Sequence, residues 1–448
     1  MTGRVAALVR AGAGYTPLRR LHGVERSLIV GTTGTMVLNV AQVLLNFALT
    51  LSLSHLLGAH GLGAYAYAFA WAGLLAGPSV LGLTPLVVRN VAAYREREQW
   101  GLLRGMIVRA NHAVLVSSAI LVAIGAVAGL IVNHSRDEFR YPVLVALLLV
   151  PVVALTSIRQ AAMQGLGRVV LGRTPETLVA PVLFLAFIGG GYVVAGSFSP
   201  TWAVTLQVFA FGAGFVLGAL LLKRVLPRRA SLERPEHAMG EWVRSAIPLL
   251  LLSVVQGLNT QMEVILLGAI KGSTEAGLLT VASRAAGVVA FVLVAVGYPI
   301  SPLVARLHAS GQNDLLRRTV RRTALTVFLA SVPIAVGAIA FAHPLLRLFG
   351  GEFAGGGTAL ILLVLGQLAF AATGLSGTVL VMTGHESWLL RGAVVGAVAN
   401  IVLNAALIPP FGLNGAAAGT AIALTAMNIC MAYFARRRAG VPSTALGF

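Results

Sequence analysis

Twelve stretches of twenty or more mostly apolar residues dominate the chain, over residues 29–55, 63–88, 106–133, 141–163, 177–196, 202–222, 245–270, 276–305, 323–343, 357–382, 387–408 and 414–435. A helix of about 20 such residues spans the roughly 30 Å hydrocarbon core of a bilayer. Inside lipid every backbone N–H and C=O needs an internal partner, so only helices and closed barrels can cross. A barrel shows alternating segments of about ten residues; these runs are unbroken, so each reads as a helix. Charged residues make up 10% of the 448, against roughly a quarter in soluble domains. The expected fold is all-α and integral to a membrane, with about twelve transmembrane helices.

A net charge of +19 raises the question of nucleic acid, and its placement answers it. With the N-terminus assigned to the cytoplasm and the loops counted alternately, 28 of the 33 Lys and Arg residues fall on the cytoplasmic side. Only Arg136, Arg140, Lys271 and Arg347 fall outside, and Arg284 lies within a span. This is the positive-inside bias of a cytoplasmic-membrane protein with both termini cytoplasmic, reinforced by anionic lipid. The charge reports orientation, and nucleic acid is not an expected partner. The basic arm, residues 1–28, runs into an apolar stretch too long for a signal-peptide core and reads as uncleaved. Cys430 is the only cysteine, which excludes an intrachain disulfide.

The widest hydrophilic gap, residues 223–244, divides the spans six and six. The expected organisation is a bundle over 29–222, a cytoplasmic linker, a second bundle over 245–435 and a tail over 436–448. Internal similarity supports the division. Pro85-Leu86-Val87-Val88-Arg89 matches Pro302-Leu303-Val304-Ala305-Arg306 at an offset of 217. At the same offset Asn39, Gln42 and Asn46 of the first span match Gln256, Asn259 and Glu263 of the seventh, each trio a polar stripe on one helix face. The LLGA at Leu56 matches that at Leu266 at an offset of 210. Six spans per half give both halves one orientation, a parallel repeat about an axis along the membrane normal, as in carriers whose halves rock about a central site.

Charges and amides within spans are costly and are the candidate site. Glu263 and Arg284 are read as the acid and the base deepest in the spans, at matching depth on the seventh and eighth. They form either a structural ion pair or an anion contact with a release partner or cation site. Arg159, beside Gln160 and Gln164, is a second candidate anion contact. Arg89 and Arg306 lie at repeat-related cytoplasmic mouths, where guanidinium forks suit phosphate and where snorkelling to the interface is the simpler account. The stripes of Asn39, Gln42, Asn46, Gln256 and Asn259 either line a shared cavity or join helices by hydrogen bonds.

Signals of enzymatic chemistry are nearly absent. The first outer loop, residues 56–62, holds no acid, and Asp137-Glu138 sits in a short mixed-charge loop that reads as solvated surface. No His pair has metal-ligand spacing and no glycine run has the setting of a phosphate loop. No cofactor is expected.

Asn400, Asn404 and the run Leu407-Ile408-Pro409-Pro410-Phe411-Gly412-Leu413-Asn414-Gly415-Ala416-Ala417 resemble a pattern near the C-terminus of polysaccharide-exporter flippases, within the multidrug, oligosaccharidyl-lipid and polysaccharide superfamily. The stretch LLGAHGLGAYAYAFAW from Leu56 is similar to that family's first loop and second span. Ser245-Ala246-Ile247-Pro248, followed by Glu263 and Leu266-Leu267-Gly268, resembles its seventh, where the acid is often Asp. The resemblance implies a twelve-span transporter, not an enzyme, that moves an undecaprenyl-pyrophosphate-linked oligosaccharide between leaflets by alternating access of two six-helix lobes. It implies a lipid-linked oligosaccharide and membrane lipid as partners, with a polysaccharide polymerase and glycosyltransferases acting beside it. The rival readings are a cation-coupled multidrug-and-toxin antiporter of the same fold, with Glu263 as its ion site, and a membrane glycosyl-polymerase or ligase. The loop NVAAYREREQWGLLRG lacks the motif of a major facilitator.

Overall fold

The computed structural model describes residues 17–132, 137–195, 198–236 and 239–445, of which all but short turns and loops are helical. Most of the basic arm lies outside the described residues. In chain order the helices are α1 (Pro17–Ser79), α2 (Leu83–Glu96), α3 (Trp100–Val132), α4 (Asp137–Ala146), α5 (Leu149–Gly165), α6 (Val169–Thr174), α7 (Ala180–Ala195) and α8 (Pro200–Val225). After the short α9 (Arg228–Leu232) come α10 (Met239–Lys271), α11 (Ser273–Ala309), α12 (Asn313–Ala340), α13 (Ala342–Arg347), α14 (Gly357–Thr373), α15 (Ser376–Met382) and α16 (Glu386–Ala439). The helices up to Val225 pack mainly on one another, as do those from Met239 onward.

Nine segments among the described residues are long and apolar enough to cross a membrane. Two of them are double. Residues 34–79 break at Gly58 and residues 386–439 break at Gly412, both glycines with positive φ, a conformation that costs glycine nothing. A continuous helix of 54 residues would be about 80 Å long, more than twice the hydrocarbon thickness, so each broken helix crosses and returns. With α11, 37 residues long, the crossings number twelve, and the chain is a multi-pass membrane protein. Large apolar side chains on the periphery, Leu44, Ile131, Phe209 and Leu329 among them, are well exposed; lipid is the solvent that suits such a surface.

Several expected boundaries shift. The second crossing ends at Ser79, not at 88, because Leu81 and Gly82 both take positive φ and start α2 as a separate helix. The fifth begins at Val169 instead of 177 and passes through a π-helical turn, Pro175–Val179. The helix of the eleventh continues through Pro409 and Pro410 and turns only at Gly412.

The register of the repeat also changes. Gly58 at the first break and Gly272 between α10 and α11 have nearly the same backbone conformation, φ 64°, ψ −178° and φ 95°, ψ −178°. Five residues beyond each lies a glycine at the point where the halves cross. A Cβ on Gly63 would land on the Ser273 carbonyl oxygen, and a Cβ on Gly277 on that of Ala59. Residues 58, 59 and 63 thus correspond to 272, 273 and 277, an offset of 214. The offset of 217 is wrong by about one helical turn: Gln42 pairs with Gln256 and Asn46 with Thr260, while Glu263 corresponds to Leu49. Apolar helices tolerate such slips in alignment because one turn restores the same face.

Lipid gives little hydrophobic drive for helix association, so close backbone packing of small residues supplies it. Around the crossing, Leu53, Leu62 and Phe184 from the first half and Leu267, Leu279 and Phe349 from the second share one buried cluster. Gly63→Ala and Gly277→Ala are therefore expected to destabilise the protein by at least about 1–3 kcal/mol, the usual cost of overpacking. Thermal unfolding in detergent should show a melting temperature several degrees lower, whereas Gly189→Ala, where an added Cβ meets nothing within 4 Å, should melt like the parent.

Candidate functional site

A cavity of about 400 Å³ lies between the halves. Both arms of α1, together with α7 and α8, form one wall; α10 and α11 form the other. Asn46 lies twelve residues before the Gly58 break and Arg284 twelve after Gly272, each about 18 Å along its helix from that break. The pseudo-twofold relation thus brings repeat-related residues to one space: Asn46 with Thr260, Leu49 with Glu263, Ala70 with Arg284.

Arg284 is exposed to this cavity and forms neither an ion pair nor a side-chain hydrogen bond among the described residues. Near it stand the Tyr65 hydroxyl and Gln207, which adjoin one another; Gln207 is 5% exposed and its Oε1 has no partner. Glu263 also lines the cavity. Ser283 donates to its Oε1 at 3.4 Å, Thr420 lies beside it, and its Oε2 is buried without a hydrogen bond. The expected meeting of Glu263 and Arg284 does not occur: they share the cavity, but the ion pairs among the described residues lie elsewhere. A guanidinium that keeps its donors free in a partly apolar cavity can bind an anion. The amides and hydroxyls of Asn46, Gln207, Gln261, Thr260 and Thr280 offer neutral hydrogen bonds around it.

Arg159 is elsewhere. It is 3% exposed, inside the first half, and its guanidinium is ion-paired to Glu176, whose other oxygen accepts from Gln160 Nε2 at 3.0 Å. Gly218 leaves room for the guanidinium, which occupies the space a Cβ would take. Glu176 escapes the sequence reading because the fifth crossing was expected to begin after it; Glu263 is therefore not alone among acids inside the spans. Lipid depth tolerates Glu176 because Arg159 and Gln160 together neutralise and bond it.

The remaining candidates divide. Asn46 lines the cavity, whereas Asn39 and Gln42 are half-buried on the same helix and are not among its lining residues. Asn259 joins helices, its Nδ2 donating to the backbone carbonyls of Val255 and Ala393, both at 3.1 Å. Gln256 is exposed and outside the cavity, and so are Arg89 and Arg306. Gln207, Gln261 and Tyr65 escape the sequence reading. Tyr65 and Gln207 are isolated on their helices and Gln261 lies off the i, i+3, i+7 stripe of α10, and only packing shows which face turns inward.

Beside the Gly58 break the halves are joined by polar contacts. The Ala59 N–H donates to Glu352 Oε1 at 2.8 Å, placing a carboxylate at a helix N-terminus, where the dipole favours it. Ser273 Oγ lies 2.7 Å from His60 Nδ1 and donates to Glu138 Oε2 at 3.1 Å, while His60 Nε2 is 3.1 Å from that same oxygen. Glu138, expected as solvated surface, instead bridges α4, α1 and α11.

Comparison with known proteins gives a consistent picture. The family model described as polysaccharide biosynthesis protein matches residues 28–308, and that described as MatE matches residues 248–406. The chain is 23% identical over 274 residues to the probable low-salt glycan biosynthesis flippase Agl15 of Haloferax volcanii, a match covering 60% of this chain and 56% of that protein. The chain thus spans little more than half the length of that relative. Among solved structures, the inward-facing conformation of a multidrug resistance MATE family transporter of the MOP superfamily superposes with a TM-score of 0.74 at 14% identity, covering 89% of this chain and 94% of that one. The lipid II flippase MurJ in an inward closed conformation gives 0.68 at 15% identity, covering 90% and 87%. At these identities the likeness is one of fold.

The buried pair carries its own expectation. Arg159→Ala leaves Glu176 uncompensated and should cost about 3–5 kcal/mol, visible as a large fall in melting temperature. Arg159→Met combined with Glu176→Leu removes both charges and should recover most of that loss, because a desolvated pair contributes little net stability over apolar packing.

Proposed function

The chain belongs to the polysaccharide biosynthesis protein family, and on that premise we propose that it is a transporter that flips a lipid-linked oligosaccharide across the cytoplasmic membrane. The observation that carries this reading is Arg284, a cation with no protein partner among the described residues, held in a cavity walled by both halves. An undecaprenyl-pyrophosphate carrier lipid presents the matching anion. The neutral amides and hydroxyls around it suit sugar hydroxyls, and the apolar remainder of the wall, Leu49, Leu53 and Phe211 among it, tolerates lipid chain.

In this reading the two lobes, residues 29–222 and 245–435, rock as units about the Gly63–Gly277 crossing, giving alternating access. The contacts of Ala59 with Glu352 and of Ser273 with Glu138 and His60 hold the far side shut and separate in the opposite state. The arginine-rich end and both termini face the cytoplasm, as the distribution of 28 of 33 basic residues supports. Glycosyltransferases supply the substrate on that side and a polysaccharide polymerase consumes it on the other. The protein performs no covalent step.

Glu263 gives a second reading specific support. A buried carboxyl with one unpartnered oxygen in the cavity suits a coupling cation or proton, as in a cation-coupled antiporter. We assign it the coupling role within flipping.

Reconstituted into vesicles with a fluorescent short-chain polyprenyl-pyrophosphate oligosaccharide, the protein should move the lipid to the protected leaflet. Losing a hydrogen bond to a charged group costs about 1.5–3 kcal/mol, so Arg284→Ala should slow transfer about 10- to 100-fold at unchanged expression. Arg284→Lys should be intermediate, since it keeps the charge but not the fork. Uptake of small organic cations driven by a proton or sodium gradient, abolished by Glu263→Gln and indifferent to Arg284→Ala, would transfer the assignment to a drug antiporter.

A further inference from the structure

At the arginine-rich end of the second half, one aromatic ring holds two guanidinium groups. Trp388 lies in the first turn of α16, and Arg391 three residues on shares its face. Arg438 lies in the last turn of the same broken helix, which has crossed and returned. The Arg391 Cζ is 4.0 Å from the Trp388 ring centroid and the Arg438 Cζ 4.3 Å. Phe434 braces the indole at 4.6 Å, and Tyr433, 5.7 Å from Phe434, carries Arg437 over its own ring at 5.7 Å.

Stacking on an indole fixes a guanidinium in place while leaving its N–H donors, which lie in the guanidinium plane, free. Both Arg391 and Arg438 are exposed, and neither belongs to an ion pair among the described residues. Because both Cζ atoms lie close to one centroid, they are within about 8 Å of each other, near enough for one phosphate to accept from both forks through bonds of about 2.8 Å. Two fixed like charges without a carboxylate between them repel, and an anion bound by both removes that repulsion. The position selects the kind of anion: a Trp at the end of a crossing marks the headgroup level of a bilayer, and basic residues there meet anionic lipids.

We infer that Trp388, Arg391 and Arg438 form a binding site for the phosphate of an anionic phospholipid headgroup, separate from the central cavity. Arg437 and Tyr433 extend the same surface. The positive-inside bias alone requires only that charge be present here. It does not require the planar forks, so replacing Arg by Lys distinguishes the two accounts.

The test uses the full chain, extracted from vesicles of equal phosphatidylglycerol and phosphatidylcholine and examined by native mass spectrometry. The parent should retain phosphatidylglycerol over phosphatidylcholine about ten-fold. Arg391→Lys with Arg438→Lys, which keeps the charge, should lower that preference at least five-fold, and Trp388→Leu should do the same, both at unchanged melting temperature and with Arg284-dependent transfer retained. Equal lipid retention in parent and double-Lys protein would overturn the site, as would displacement of the lipid by millimolar inorganic phosphate, which would mark a site for free phosphate. Should Trp388→Leu prove unstable, the double-Lys protein decides alone.

Discussion

The meeting of two backbones at Gly63 and Gly277 is the contact on which the rest of the architecture depends. Each glycine receives the carbonyl of a residue in the opposite half, Ser273 or Ala59, in space a single methyl group would fill. Because lipid tails are as apolar as leucine, helices in a membrane gain little from hydrophobic burial and much from such close approach. The crossing draws α1, α10 and α11 together at one end, and their divergence from it opens the cavity. The helix breaks at Gly58 and Gly272 follow from the same geometry, since each turns the chain back into the membrane one turn before the contact.

Charge inside the spans is handled in two ways. Arg159 is enclosed and paired, with Glu176 and Gln160 around it and Gly218 vacated for its guanidinium; its charge is compensated inside the first half and it does not line the cavity, although its Nε and Nη1 are buried without a hydrogen-bond partner among the described residues. Arg284 is given no carboxylate although Glu263 lines the same cavity. Keeping a cation unpaired in the interior of a membrane protein is costly, and solvent access through the cavity, to which Arg284 is exposed, lowers that cost. The polar bridge at the Gly58 end, built on Glu352, Glu138, His60 and Ser273, adds hydrogen bonds between the halves to the backbone contact at the glycines.

The sequence by itself determined the solvent, the number of crossings and the parallel repeat. Runs of twenty apolar residues can do little in lipid except form helices, and the repeat shows through in paired motifs even though the match of Pro85 with Pro302 slips by three residues, since at an offset of 214 Pro85 corresponds to Pro299. It also singled out Arg284, Glu263 and Asn46, since a polar group in an apolar run is conspicuous in one dimension. Tertiary structure alone decided which polar groups share a space. It assigned Asn259 to a helix joint, enclosed Arg159 with an acid that the run boundaries concealed, set the repeat at 214 where sequence matching suggested 217, and turned Gln207, Gln261 and Tyr65 inward. The physical reason is that a helix repeats its face every turn: a sequence reports that a residue is polar and how deep it lies, while the direction it points depends on the neighbour its helix packs against.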